Sequence, residues 1–236
     1  MKQRRGFKVV AGDSGSMVKI EGVIFDLDGL VLDTEEGYWS AWKQAGETMG
    51  HPLPDDLRRF LDGRDSGGVR RGFVNHFGHG FDWAEFSRRS REAWYGYIRE
   101  KGIPVQRGLR GLVSLLLRER IPYCIATNSY RCNAIECIRF ADLHGVFDSM
   151  VTREDVRSGK PAPDLFFLAS EVLGVGINRC LVLEDSLSGL VGAKVAGALT
   201  AFVPSVRPVD GSVRRFADEE FRDLEEVSEF LVRLRS

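Results

Sequence analysis

Apolar and polar positions alternate along this chain in blocks whose period changes repeatedly. The run Val18-Lys19-Ile20-Glu21-Gly22-Val23-Ile24-Phe25 predicts a strand. From Asp33 to about Lys101 the apolar residues recur at helical spacing and no good strand interrupts them. "IPYCIAT" is a second strand, followed by a helix from Arg131 to Ala141. "FDSMVT" is a short strand, and "PDLFFLASEVLG" a helix that stops at Gly174. "CLVLED", "SGLVGAKVAG" and "LTAFVP" predict strand, helix ending at Gly197, and strand. The amphipathic "LEEVSEFLVRL" predicts a last helix.

Strands that alternate with helices pair in parallel, so the pattern predicts an α/β fold with a doubly wound, Rossmann-like parallel sheet. The helical block breaks that rhythm after the first strand and reads as an inserted all-helical cap domain. Asp33, with Glu36 three residues on, marks its start as a capping-box variant, and Gly102 and Pro104 mark its end. The expected division is a core of residues 18–33 and 104–236, a cap of 34–103, and a loose extension of 1–17. The extension is inferred because it is basic and Met17 directly precedes the first strand.

Composition adds limits. Hydrophobic residues are 43% and charged residues 28% of 236, which suits a globular protein with a real core. A net charge of −1 provides no broad basic field, which argues against a nucleic-acid partner. No apolar run reaches the length of a membrane span or a signal-peptide core. Cys124, Cys132, Cys137 and Cys180 form no CxxC pair, so reduced thiols in a cytoplasmic protein are expected. The chain is expected to act as a monomer or homodimer.

The chemistry lies where strands end. Asp26 and Asp28 follow the first strand, Glu184 and Asp185 another, Thr127-Asn128-Ser129 a third, and Lys160 precedes a helix. In a parallel sheet these ends converge on the ligand crevice. Two carboxylates about 4 Å apart repel by roughly 1 kcal/mol even in water, and by more in a cleft. Several of them call for a cation, and oxygen ligands beside a phosphate site suit Mg²⁺. Lys160 adds positive charge and Thr127 a hydroxyl, completing an anion site suited to phosphoryl transfer. Asp26 is the candidate nucleophile and Asp28 the candidate acid and base. Asn128 is a candidate substrate contact, as is Arg64 in the glycine-rich break "GRDSGG".

These motifs together resemble the haloacid dehalogenase-like superfamily, in its branch of small phosphatases and β-phosphoglucomutase-like enzymes. "FDLDGLVLDTE", "IATNS", "SGKPAPDLF" and "LVLEDSLSGLVGAKVAG" are similar to its four motifs in order and spacing. The resemblance implies that Asp26 is nucleophile and Mg²⁺ ligand, and that Asp28 is acid/base and lends its backbone carbonyl to the metal. It implies that Thr127 and Lys160 hold the phosphoryl group, and that Asp185, with Glu184, binds Mg²⁺. The expected activity is hydrolysis of a small phosphorylated metabolite, a sugar phosphate or similar monoester, under a closing cap.

A phosphomutase of the β-phosphoglucomutase type is the alternative. Those enzymes carry a histidine ten residues after the second aspartate of the first motif, where this sequence has Tyr38. A dehalogenase would need neither Asp28 nor a metal, and a non-catalytic relative would be expected to lack a motif residue. His76 and His79 have a spacing that zinc accepts, but no third ligand is near in sequence. The cap aromatics, Trp39, Trp42, Phe73, Trp83, Phe86 and Trp94 among them, read mostly as cap core. Arg118, Glu119 and Arg120 read as a solvated helix end, and "VRRFADEEFRD" as surface.

Overall fold

A computed structural model describes residues 7–11, 16–61, 66–205, 211 and 213–234. Its elements in chain order are β1 (Phe7–Ala11), β2 (Ser16–Ile20), β3 (Gly22–Phe25), α1 (Glu35–Thr48), α2 (Asp55–Leu61), α3 (Ser66–Phe77) and α4 (Trp83–Lys101). Then come α5 (Leu109–Glu119), β4 (Tyr123–Ala126), α6 (Arg131–Phe140), β5 (Met150–Val151) and α7 (Asp164–Leu173). The chain continues with β6 (Cys180–Glu184), α8 (Leu187–Ala196), β7 (Leu199–Phe202), β8 (Glu219–Glu220) and α9 (Leu224–Arg233).

Six strands form one parallel sheet in the order β5-β4-β3-β6-β7-β8. The sheet's first strand in the chain, β3, therefore lies inside it and later strands are added outward in both directions, which is the doubly wound arrangement. β3, β6 and β7 are buried along their whole length, as continuous apolar strands covered on both faces must be. Strand pleating sends Ile24, Cys124 and Val182 into one layer with Leu165, Phe166, Ala169 and Ala193 of α7 and α8. Phe25 meets Tyr123 and Phe147 edge-on. α5 and α9 pack against each other, and Gly108, the residue before α5, lies directly against the backbone of Leu224 and Glu225.

Contact density divides the chain into two units, residues 33–104 and the remainder. The helical unit has its own core, with Phe73 fully buried among Phe77, Phe81, Trp83 and Phe86. Its α1 packs on α4 through Gly37, where a Cβ would lie 2.3 Å from the Trp94 ring. At its base the Asp33 N–H donates to the Pro104 carbonyl at 2.9 Å. In the other unit Leu32 bridges Val105 antiparallel.

The structure departs from the sequence reading in several places. The stretch expected as one strand from Val18 is two, broken at Glu21, and β2 pairs antiparallel with β1 rather than joining the large sheet. Part of the extension expected to be loose is thus a hairpin strand, for which Val9 and Val10 have the β-branched character. Helix α1 is capped at Thr34, not Asp33, and no side chain there bonds a backbone N–H. Glu119 is buried, at 2% exposure, although Arg118 beside it is exposed and pairs with it at 3.2 Å. Within "VRRFADEEFRD", Glu219 and Glu220 form a parallel edge strand on β7. Cys132 is exposed and the other cysteines are buried, and all are free thiols. Among the described residues no helix is long and apolar enough to cross a membrane.

Gly108 has φ +87°, and a Cβ there would lie 2.1 Å from the Glu225 backbone nitrogen. Gly111, in the first turns of α5, has open space where a Cβ would go. Gly108→Ala is expected to cost about 2–5 kcal/mol, the sum of left-handed strain and overpacking. Gly111→Ala is expected to gain about 0.5–1 kcal/mol through helix propensity. Urea unfolding midpoints of both variants check the pair.

Candidate active site

Register alone brings the carboxylates together. Phe25 pairs with Ile125 on one side and with Leu183 on the other. The next residues, Asp26, Ala126 and Glu184, therefore leave the sheet side by side at its C-terminal edge. The Asp26 N–H continues the ladder by donating to the Leu183 carbonyl at 3.0 Å. Sheet order reverses between β3 and β6, so this edge is the crevice where open α/β sheets bind ligands. Asp26, Thr127, Lys160 and Glu184 are all buried there.

The Lys160 ammonium pairs with Asp26 Oδ1 and, at 2.5 Å, with Glu184 Oε1. It also lies 5.5 Å from the centre of the Phe166 ring. Burial works against the charge on Lys160, but the carboxylates of Asp26 and Glu184 outweigh it and hold the ammonium protonated above its ordinary range. Burial and then the neighbouring Asp26 push the Glu184 carboxyl up, against the pull of Lys160, to about 7. Burial is the larger cause, because it penalises the charged form, and the Asp26 carboxylate adds like-charge repulsion. Ser186, the N-cap of α8, donates to Glu184 Oε2 at 3.0 Å and accepts from the Gly189 N–H at 3.1 Å. Gly189 leaves the room for this, since a Cβ there would fall within 2.1 Å of the Glu184 carboxyl atoms.

Lys160 is held from behind. Asn128 Oδ1 accepts from the Lys160 N–H at 2.8 Å, and Asn128 Nδ2 donates to the Lys160 carbonyl at 3.2 Å. Asn128, expected at the substrate, thus clamps the backbone of the site lysine with both ends of its amide. Gly159 permits the clamp, because a Cβ there would lie 2.3 Å from Asn128 Oδ1. The Lys160–Pro161 peptide is cis. Thr127 Oγ1 accepts from the Ser129 N–H at 2.9 Å, and Ser129 Oγ donates to Asp28 Oδ2 at 2.7 Å. Asp28 is half-buried and Asp26 is buried. Arg64 lies outside the described residues.

Among the described residues, the groups that could hold a metal ion are the carboxylates of Asp26, Glu184 and Asp185, each offering an oxygen within 4.8 Å of the others. Such an all-oxygen, anionic donor set fits a hard divalent cation, and the unbalanced negative charge gives that cation a reason to bind. The side chain of Asp28 lies outside this set; the expectation for it concerned its backbone carbonyl. Gly29, with φ +89°, turns the chain beside Asp185, where a Cβ would lie 2.0 Å from Asp185 Oδ2. Ser205 Oγ donates to the same Oδ2 at 2.7 Å. Sequence reasoning missed the bonds from Ser129 and Ser205. Ser129 had a signal in its place beside Thr127, whereas Ser205 stands in no motif.

Comparison with known proteins agrees with this geometry. Residues 23–203 match the family described as haloacid dehalogenase-like hydrolase. A phosphorylated carbohydrates phosphatase of Thermotoga maritima is 32% identical over 178 residues, covering 75% of this chain and 82% of that protein. The beta-phosphoglucomutase of Bacillus subtilis is 29% identical over 218 residues, covering 84% of this chain and 91% of that one. Among solved structures, CbbY from Rhodobacter sphaeroides in complex with phosphate superposes with a TM-score of 0.72 at 26% identity, covering 88% and 96% of the two chains. A match that spans β3 to the residue after β7, and so takes in every strand end just described, places the chain in its family: it belongs to the haloacid dehalogenase-like hydrolases.

Proposed function

We propose that this enzyme is a Mg²⁺-dependent phosphatase that hydrolyses a small phosphorylated metabolite, a sugar phosphate or similar monoester, through an aspartyl-phosphate on Asp26. The observation that carries the reading is the buried Asp26 carboxylate at the sheet edge, paired with Lys160 and flanked by Glu184 and Asp185. The names of the Thermotoga and Bacillus relatives support a phosphorylated carbohydrate as the substrate class.

The roles follow from the groups available. Lys160 pairs with Asp26 and holds its carboxylate at the sheet edge, where it is the candidate nucleophile. An Asp26 oxygen attacks phosphorus, the bond from phosphorus to the ester oxygen breaks, and Asp28 gives its proton to the departing alkoxide. Water then attacks the aspartyl-phosphate and yields its proton to Asp28, releasing phosphate and restoring Asp26. Thr127, whose oxygen accepts from Ser129, has its hydrogen to give to a phosphoryl oxygen. Asn128 acts through Lys160, whose backbone it holds. Asp26, Glu184 and Asp185, with the backbone carbonyl of Asp28, would hold Mg²⁺, which when bound supplies positive charge to the phosphoryl oxygens. Arg64 remains a proposed substrate contact.

The mutase reading has the Bacillus relative in its favour. Against it stands Tyr38, in place of the histidine of those enzymes. Its ring stacks on Trp94 at 4.3 Å and 12° and lies near Trp42. A phenol titrates near pH 10 and supplies no near-neutral proton relay.

Asp26→Asn keeps the shape of the nucleophile and removes its charge. Turnover of the best phosphate ester is expected to fall at least about a thousandfold, with the fold intact by circular dichroism. Activity within tenfold of the parent enzyme would remove Asp26 from the nucleophile's role.

EDTA is expected to abolish turnover and Mg²⁺ to restore it. Asp185→Ala should raise the Mg²⁺ concentration needed for half-maximal rate, and Ca²⁺ should inhibit because its larger, looser coordination misplaces the reacting groups. A steady-state titration of each metal against rate checks all of these, and full activity in EDTA would refute the requirement.

Incubation with β-glucose 1-phosphate and a trace of the 1,6-bisphosphate separates hydrolysis from mutation. Inorganic phosphate is expected in step with free glucose. Rapid glucose 6-phosphate with little free phosphate would establish the mutase reading instead.

A further inference from the structure

We propose that Ser205 is a positioning residue for Asp185: its hydroxyl holds one carboxylate oxygen and so sets the rotation in which the carboxylate meets the cation. The proposal rests on the metal reading above. Its observation is a convergence of three loops at a single atom. Asp185 follows β6, Gly29 follows β3 and Ser205 follows β7. Asp185 Oδ2 receives the Ser205 hydroxyl at 2.7 Å and sits where a Gly29 Cβ would be, 2.0 Å away. That same Cβ would lie 3.2 Å from Ser205 Oγ.

Adjacent strands bring the partners together. β6 and β7 run in register from Leu181 with Leu199 to Glu184 with Phe202. The Val203 N–H extends the ladder by donating to the Glu184 carbonyl at 2.8 Å. Ser205 therefore arrives, two residues later, beside the residue that follows Glu184.

The chemistry of the pair is directional. A serine hydroxyl donates a charge-assisted hydrogen bond to a carboxylate, and Gly29 closes the other side, so Oδ2 has a fixed place. Fixing one oxygen fixes the rotation of the carboxylate, and with it the angle at which Asp185 meets the acidic group of Asp26 and Glu184. Mg²⁺ demands near-ideal octahedral placement of its ligands, so a fixed rotation matters more to it than to Ca²⁺. Hydrogen bonds that orient metal ligands typically change affinity 10–100-fold when removed.

The test is direct binding of Mg²⁺ to the full chain by isothermal titration calorimetry, without substrate, for the parent enzyme and Ser205→Ala, Ser205→Cys and Ser205→Thr. Alanine removes the donor, cysteine nearly keeps the volume with a weak donor, and threonine keeps the hydroxyl. Ser205→Ala and Ser205→Cys are expected to raise the Mg²⁺ Kd about 10-fold or more. Ser205→Thr should stay within about threefold, and melting temperatures in EDTA should match across the set. A merely structural tether would instead lower the melting temperature in EDTA and leave Kd unchanged, and that result overturns the proposal. If Ser205→Ala alone fails to fold, the cysteine and threonine variants decide: equal Kd values for the two overturn it. A parent enzyme that binds no Mg²⁺ overturns the metal reading itself, whereas tight parent binding with Ser205→Ala equal to it overturns the positioning role alone.

Discussion

The Lys160 ammonium stands between the carboxylates of Asp26 and Glu184 where little water reaches, and the surrounding architecture is organised around keeping it there. Removing such charges from water costs several kcal/mol per ion, and only close, well-aimed partners repay it. Aim is supplied by backbone. Parallel register sets Asp26 beside Glu184, and the Asn128 amide fixes the Lys160 main chain at two points. Even so, one ammonium cannot balance the acidic groups that share the site. The acidic group of Asp26, Glu184 and Asp185 is of a kind that a hard divalent cation fits.

How much of this could be read from the chain alone differs by level. The strands β3, β4, β6 and β7 were legible because strands buried on both faces are unbroken apolar runs bounded by turn residues. The grouping of Asp26, Lys160, Glu184 and Asp185 was legible for a related reason: charged side chains that follow such runs fall at the edge where a parallel sheet takes its ligands. The edge strand at Glu219 and Glu220 was not, because a two-residue strand needs no apolar side chains and its pairing is a property of backbone reach. Burial of Glu119 was hidden as well, since its neighbours Arg118 and Arg120 carry the signature of a solvated helix end.

Interactions between distant segments were the least visible. Ser205 lies twenty residues beyond Asp185, and nothing in "FVPS" marks its hydroxyl as a partner. Asn128 was placed at the right strand end but given a different duty, because the sequence shows neighbours in the chain and not the carbonyl and N–H groups of Lys160 across the loop. A glycine accompanies both contacts, Gly29 beside Asp185 and Ser205 and Gly159 beside Asn128, and Gly189 stands in the same way against Glu184. Their absent side chains make room for the acidic groups and for the clamp.

The pairing of Asp33 with Pro104, and of Leu32 with Val105, has a consequence for how such a protein diversifies. The chain leaves the sheet unit and returns to it at one place, so the helical unit spans no distance within the sheet unit's backbone. Loop-closure entropy grows only as the logarithm of length, and here the ends are already closed by main-chain hydrogen bonds. With its own aromatic core, the inserted unit can be lengthened, rebuilt or replaced while the strand ends keep their register. The strand ends and the inserted helices are thereby written in separable stretches of one gene, free to change at different rates.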